Sequence, residues 1–300
     1  MLDRLLTEDV NPDTLDIDAR STLDVVRLMN AEDAKVAAAV RVELPNIAQA
    51  VDIIVERMRR GGRLLYFGAG TSGRLGVLDA SEMPPTFSTP PELVRGFICG
   101  GLRALTSPVE KMEDDPSLGE KDVLDAGVTE RDTVVGLSAS GRTPYVMGAL
   151  RKARQLGAAT ISVSCNRPSD MGAQADVDIA PLVGPEVVSG STRLKAGTAQ
   201  KMILNMLSTA TMIRLGKTYG NLMVDLRGTS FKLRDRARRI VQRVTGVASE
   251  EATAALEAAG YEVKVALVMI LDKVSAEGAR DRLARAGGMV RQAVSPNASR

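Results

Sequence analysis

Two short stretches of the sequence place hydroxyl groups and glycines where an anion could be held. The first, GAGTSGR, runs from Gly68 to Arg74. Its Gly68, Gly70 and Gly73 spell G-x-G-x-x-G directly after the apolar run Leu64 to Phe67, the spacing that lets a backbone approach a pyrophosphate. A dinucleotide site also needs a carboxylate near the end of the next strand, for a ribose hydroxyl. The next apolar run ends instead in Ile98-Cys99-Gly100-Gly101, with no acid. Thr71 and Ser72 add hydroxyls that suit a phosphate monoester. The second stretch, SASGRTPY, follows the apolar run Thr133 to Leu137 and supplies Ser138, Ser140, Gly141 and Thr143. In a parallel sheet both loops lie at carboxyl ends of strands, where helix N-termini offer free N–H groups and a partial positive charge. Ser and Thr serve equally well as N-caps, but two such loops together point to phosphate. Neither continues into G-x-x-x-x-G-K-[ST], which argues against nucleotide triphosphate hydrolysis and for a small phosphorylated metabolite. A third polar segment, GPEVVSGSTRLKAGTAQK, offers Glu186, Ser191, Thr192, Arg193 and Lys195, either as a surface loop with a helix cap or as closure of the anion site.

The 300 residues contain no histidine. Proton transfer near neutral pH therefore falls to carboxylates, lysine, tyrosine or water. With two well-separated cysteines as the only thiols, zinc sites and Ser-His-Asp or Cys-His nucleophiles are not expected. Cys99 and Cys165 close apolar runs and read as packed thiols in a reducing compartment. A formal charge of +2 gives no global attraction to nucleic acid or membrane. The N-terminus has acids where a signal peptide needs an apolar region, and no stretch reaches the ~18 apolar residues of a membrane span. A cytoplasmic location is expected.

These loops must be carried by something. Apolar runs at Leu64 to Phe67, Leu93 to Cys99, Thr133 to Leu137, Ala159 to Ser164 and Val177 to Ile179 alternate with helix-like stretches, which predicts an α/β fold with a five-stranded parallel sheet flanked by helices. Before it, Ser21-Thr22 cap one helix, LDVVRLMNAEDAKVAAAV, and Pro45 opens a second that stops at Gly61-Gly62. After it, TAQKMILNMLSTATMIRLG is apolar on nearly all sides and reads as a buried or subunit-facing helix. The stretch KLRDRARRIVQR reads as a solvated helix face, and the Ala- and Glu-rich tail from Thr245 as a small bundle of short helices. The division expected is an N-terminal helical segment over 1–50, an α/β domain over 51–228 and a C-terminal helical domain over 229–300.

The paired loops resemble those of the sugar isomerase (SIS) fold. The longer stretches GAGTSGRLGVLDASEMPPTF, PVEKMEDD, SASGRTPYVMGAL and GPEVVSGSTRLKAGTAQKMILNMLSTATMIRLGKTYGNLMVD resemble the N-acetylmuramic acid 6-phosphate etherases, from about Asp16 to Val294. That resemblance implies cleavage of the D-lactyl ether of an amino-sugar phosphate without metal or cofactor, with Thr71, Ser72, Ser138, Ser140, Thr143 and Lys195 around the phosphate. It places two catalytic glutamates on Glu82, in DASEMPP, and Glu113, in VEKMEDD. By resemblance Glu113 is the base and Glu82 the acid; on residue type alone, Glu113 is not separable from Glu110, Asp114 and Asp115.

Glu82 follows Ser72 by ten residues, roughly 15 Å along an unbroken helix at ~1.5 Å per residue. Either that helix bends early or Glu82 serves a second copy of the chain, so a homodimer with composite sites is expected. Met83 stands where the family has Cys, and RGTSFKL departs from its usual pattern around Thr229. The competing readings are a non-catalytic sugar-phosphate sensor similar to the glucokinase regulator, whose relatives lack the acid matching Glu82, and an aldose-ketose isomerase, which usually needs a histidine.

Overall fold

The computed structural model describes residues 5–107, 109, 111–225 and 231–295. It divides into two compact units, one of Met1–Glu82 with Pro91–Ser208 and the other of Met83–Pro90 with Thr209–Arg300.

In the first unit the five apolar runs form five parallel strands: β1 (Leu64–Gly68), β2 (Val94–Ile98), β3 (Thr133–Leu137), β4 (Ala159–Val163) and β5 (Val177–Ile179), in the order β2-β1-β3-β4-β5. Every residue of β1, β3 and β4 is buried, which is why each reads as an unbroken apolar run: a parallel strand covered on both faces has no solvent side. At the edge, β2 exposes Arg95. Helices α1 (Thr22–Asp33), α2 (Val36–Val42), α3 (Leu44–Arg59), α4 (Gly70–Ser81), α6 (Pro116–Asp125), α7 (Pro144–Gln155) and α8 (Lys195–Arg214) accompany the sheet; α5 (Met83–Phe87) belongs to the second unit. Ser21 caps α1 as expected, its hydroxyl accepting from the Asp24 N–H. The single helix expected after it is divided at Ala34-Lys35 into α1 and α2. At that break Glu32 points inward, to ion pairs with Lys195 and Lys35.

The chain leaves β1 toward β2 through α4 and leaves β3 toward β4 through α7, so the order reverses between β1 and β3. Such a switch point opens a crevice at the carboxyl ends of the strands. Here Gly68 stands opposite Leu137, and the two hydroxyl loops start side by side. The opposite ends of the same strands are fastened by Asp132, which accepts hydrogen bonds from Arg63 N (2.8 Å), Arg63 Nη2 (2.8 Å) and Thr129 N (2.9 Å).

The second unit has its own apolar core. Val224, Val241, Leu256, Leu267, Val268 and Leu283 are buried there, between α9 (Phe231–Thr245), α10 (Ser249–Ala258), α11 (Val263–Asp272), α12 (Ala276–Arg285) and α13 (Val290–Ala293). A short antiparallel pair, β6 (Thr218–Tyr219) with β7 (Leu222–Met223), precedes α9. The C-terminal bundle is thus present as short helices punctuated by glycines.

Candidate active site

The glycines of the first loop have two physical tasks. A Cβ on Gly73 would lie 2.6 Å from the Gly68 carbonyl oxygen and 2.7 Å from Ile98 Cγ1, so the start of α4 packs on β1 and β2 only because position 73 has no side chain. Gly70 turns the chain with φ +53°, a left-handed conformation that favours glycine. No side chain caps α4, and none caps α7. The hydroxyls of both loops are therefore not spent on N-caps, and both helix N-termini keep their dipolar ends open toward the crevice.

In the second loop the three hydroxyls form one cluster. Ser138 Oγ lies 3.1 Å from Ser140 Oγ and 2.8 Å from Thr143 Oγ1, and Gly141 N donates to Ser138 Oγ at 3.2 Å. In the first loop Ser72 is buried and its hydroxyl donates to Gln200 Oε1 on α8 at 2.8 Å. Gln200 was not singled out in the sequence. It is buried with its Nε2 lacking a hydrogen-bond partner among the described residues, so α8 brings an amide donor beside the first loop. A side chain on Gly197 would come 3.6 Å from Thr71 Cγ2, which sets the start of α8 against the same loop.

The third polar segment acts mainly on α8. The Glu186 carboxylate accepts from the N–H groups of Lys195 and Ala196, both at 3.0 Å, so this helix N-terminus already holds an anion. Lys195 is buried and its ammonium is ion-paired with Glu32. Its charge is thus paired inside the protein, at the N-terminus of α8.

Glu113 lies in a short 3-10 turn, Met112–Asp114, entered through Lys111 at φ +70°. Two residues on, Asp115 caps α6, accepting from Ser117 N at 2.9 Å. Glu113 shares a cavity of about 180 Å³ with Ala69, Gly70 and Arg74 of the first loop and helix, and with Cys99, Ala104 and Val109. This acid and the first loop are therefore neighbours. Burial, with the negative charges of Glu113, Asp122 and Asp115 adding to it, pushes the Cys99 thiol up to about 11, leaving it a neutral wall. Glu110, one of the alternatives to Glu113, lies outside the described residues, as does Thr229.

Glu82 is exposed at the C-cap of α4. The helix is continuous over Gly70–Ser81, so the early bend that would bring Glu82 back to its own first loop is not there. Its backbone is well anchored nonetheless. One turn earlier, buried Asp79 accepts from Tyr66 Oη (2.9 Å), Asn205 Nδ2 (2.7 Å) and Ser208 Oγ (3.1 Å). Burial raises the pKa of this carboxyl, with those hydrogen bonds opposing the rise.

Two family models match the chain: the glucokinase regulatory protein N-terminal SIS domain over residues 46–154 and the SIS domain over 104–210. The N-acetylmuramic acid 6-phosphate etherase of Clostridium beijerinckii is 56% identical over 293 residues, 98% of this chain and 96% of the relative. That of Brucella anthropi is 54% identical, covering 99% and 96%. The structure of a phosphoheptose isomerase from Neisseria gonorrhoeae superposes on 64% of this chain and 98% of its own, with a TM-score of 0.50 at 18% identity, a likeness of fold.

Proposed function

The chain belongs to the N-acetylmuramic acid 6-phosphate etherases, and on that premise we propose how its residues divide the reaction. It is a carbon-oxygen lyase acting on the D-lactyl ether of N-acetylmuramic acid 6-phosphate, with N-acetylglucosamine 6-phosphate and D-lactate as products. In the open-chain sugar the C2 proton is acidified by the neighbouring aldehyde, and the lactyl oxygen on C3 is a β leaving group. Glu113 takes the C2 proton, Glu82 protonates the departing lactyl oxygen, and an unsaturated aldehyde remains. Water then adds at C3 and a proton returns to C2, which balances the reaction as a net hydrolysis. One base and one acid suffice.

The observation that supports this division best is the shared cavity of Glu113 with the first loop. A sugar whose phosphate rests on Ser72, Thr71 and the Ser138, Ser140, Thr143 cluster would present C2 to that carboxylate. The sensing alternative gains nothing comparable: the glucokinase-regulator model covers 46–154 only, whereas the etherases match nearly end to end, and Glu82 is present. We further propose that the protein works in the cytoplasm as a homodimer, the partner copy supplying Glu82. Among the described residues no helix is long and apolar enough to cross a membrane.

The test is release of free D-lactate from N-acetylmuramic acid 6-phosphate by the purified chain; none at any enzyme concentration would remove the reading. The unphosphorylated sugar should be turned over at least ~100-fold less efficiently, since charge-assisted bonds to a phosphate contribute ~1.5–3 kcal/mol each and the loops offer several. Comparable kcat/KM for the two sugars would show that the loops do something else. Turnover should also survive exhaustive chelation, because a chain without histidine and with two separated cysteines offers no common transition-metal site and two carboxylates can run the elimination. Activity lost with EDTA and restored by a divalent ion would contradict that.

A further inference from the structure

We propose that Arg74 binds the carboxylate of the substrate's lactyl group and so sets the enzyme's preference for an anionic ether substituent; the inference rests on the etherase reading. The substrate carries two anions. Its phosphate is accounted for by hydroxyls and helix N-termini; of the two arginines in the loops, Arg142 is ion-paired with Asp170, and Arg74 is the one beside Glu113. The lactyl carboxylate is attached through the ether oxygen to C3, the carbon next to the one Glu113 is to deprotonate. Whatever binds it must therefore lie beside Glu113.

The cavity holding Glu113 contains one cationic side chain, Arg74. It sits at the fifth residue of α4, is half-buried, and its Nε donates to the Leu105 carbonyl at 3.1 Å. This bond fixes the plane of the guanidinium. The two terminal nitrogens make no hydrogen bond or ion pair among the described residues, which leaves a fork suited to a carboxylate. The cation also removes an electrostatic conflict. A carboxylate base and a carboxylate-bearing substrate repel at close range in a partly desolvated site, and a guanidinium between them offsets that repulsion.

The remaining walls fit the rest of the group. Cys99, Ala104 and Val109 are apolar and suit the lactyl methyl, and the raised pKa of Cys99 keeps the thiol uncharged. At roughly 30 Å³ per water, a cavity of about 180 Å³ has room for a substituent of this size. The turn that builds this wall is the Cys99-Gly100-Gly101 stretch, where a dinucleotide site would have carried its acid. Gly100, at φ +86°, allows Val109 to close against it, and Gly101 begins the 3-10 turn to Leu105 that holds Arg74.

The experiment compares N-acetylmuramic acid 6-phosphate with its lactamide analogue, in which the carboxylate is a neutral carboxamide. The parental enzyme should prefer the carboxylate by ~10- to 150-fold in kcat/KM, the range of a charge-assisted hydrogen bond. In Arg74→Gln the loss should fall on the carboxylate substrate and bring the preference near unity; Arg74→Lys should restore part of it. Equal losses on both substrates in Arg74→Gln would assign Arg74 a structural role and overturn the proposal. Parental enzyme that cleaves both substrates equally well would overturn it without any variant. Parental enzyme that releases neither D-lactate from the one nor D-lactamide from the other would instead remove the etherase reading on which it rests.

Discussion

Glu82→Gln should still exchange the C2 proton of N-acetylmuramic acid 6-phosphate with deuterated solvent while releasing almost no D-lactate. Glutamine at position 82 removes the acid and leaves the base, so the carbanion forms and is quenched by solvent deuterons, with no proton available for the leaving oxygen. Glu113→Gln should lose exchange and lactate release together, because every later step needs the C2 proton gone. A positioned acid or base contributes ~10²- to 10⁴-fold, and each loss should fall in that range. Both residues are exposed in the single chain, so the substitutions should leave thermal stability within about 0.5 kcal/mol; an activity loss will then not be a folding loss. Exchange abolished in Glu82→Gln and retained in Glu113→Gln would reverse the two roles. Parental lactate release by both variants would show two solvated surface acids.

Much of the first unit was legible because parallel strands hide both faces. Leu64–Gly68 and Thr133–Leu137 are wholly buried, and a segment with no solvent side carries its signal in composition alone. The loops were legible for a related reason: glycine at 70 and 73 answers a local backbone demand. The ambiguity between capping and anion binding was not resolvable from residue type, since Ser and Thr do both; it turned on whether their oxygens bond to their own helices, and none caps α4 or α7. What stayed invisible were pairings between residues far apart in sequence. Lys195 reads as a residue of the phosphate site, and nothing in the sequence shows its ion pair with Glu32, 163 positions away. Glu186 reads as one more polar loop residue until its oxygens are found on the first N–H groups of α8. Gln200 and Arg74 lay inside quoted motifs without drawing notice, because what distinguishes them is an unpartnered nitrogen and a shared cavity.

Mixing the two inactive variants should recover activity, and the amount recovered should report how the site is built. The continuous α4 carries Glu82 roughly 15 Å along its axis from Ser72, beyond the reach of a sugar whose phosphate rests on the same helix's N-terminus. On the proposed reading the site is completed by Glu82 of a second copy. Subunits of Glu82→Gln and Glu113→Gln, unfolded together and refolded at equal concentration, should form mixed dimers as about half of the population. In each mixed dimer one site joins the intact Glu113 of the first variant to the intact Glu82 of the second, and the other site has neither. About one quarter of the parental lactate release should return, against the ~10²-fold or greater deficit of each variant alone. If both glutamates of a site come from one chain, every site in the mixture lacks one of them and nothing returns. Light scattering on the unmixed parent supplies the independent check: a monomer that retains full turnover would place Glu82 and Glu113 in a single chain, with the substrate bound otherwise than on both loops.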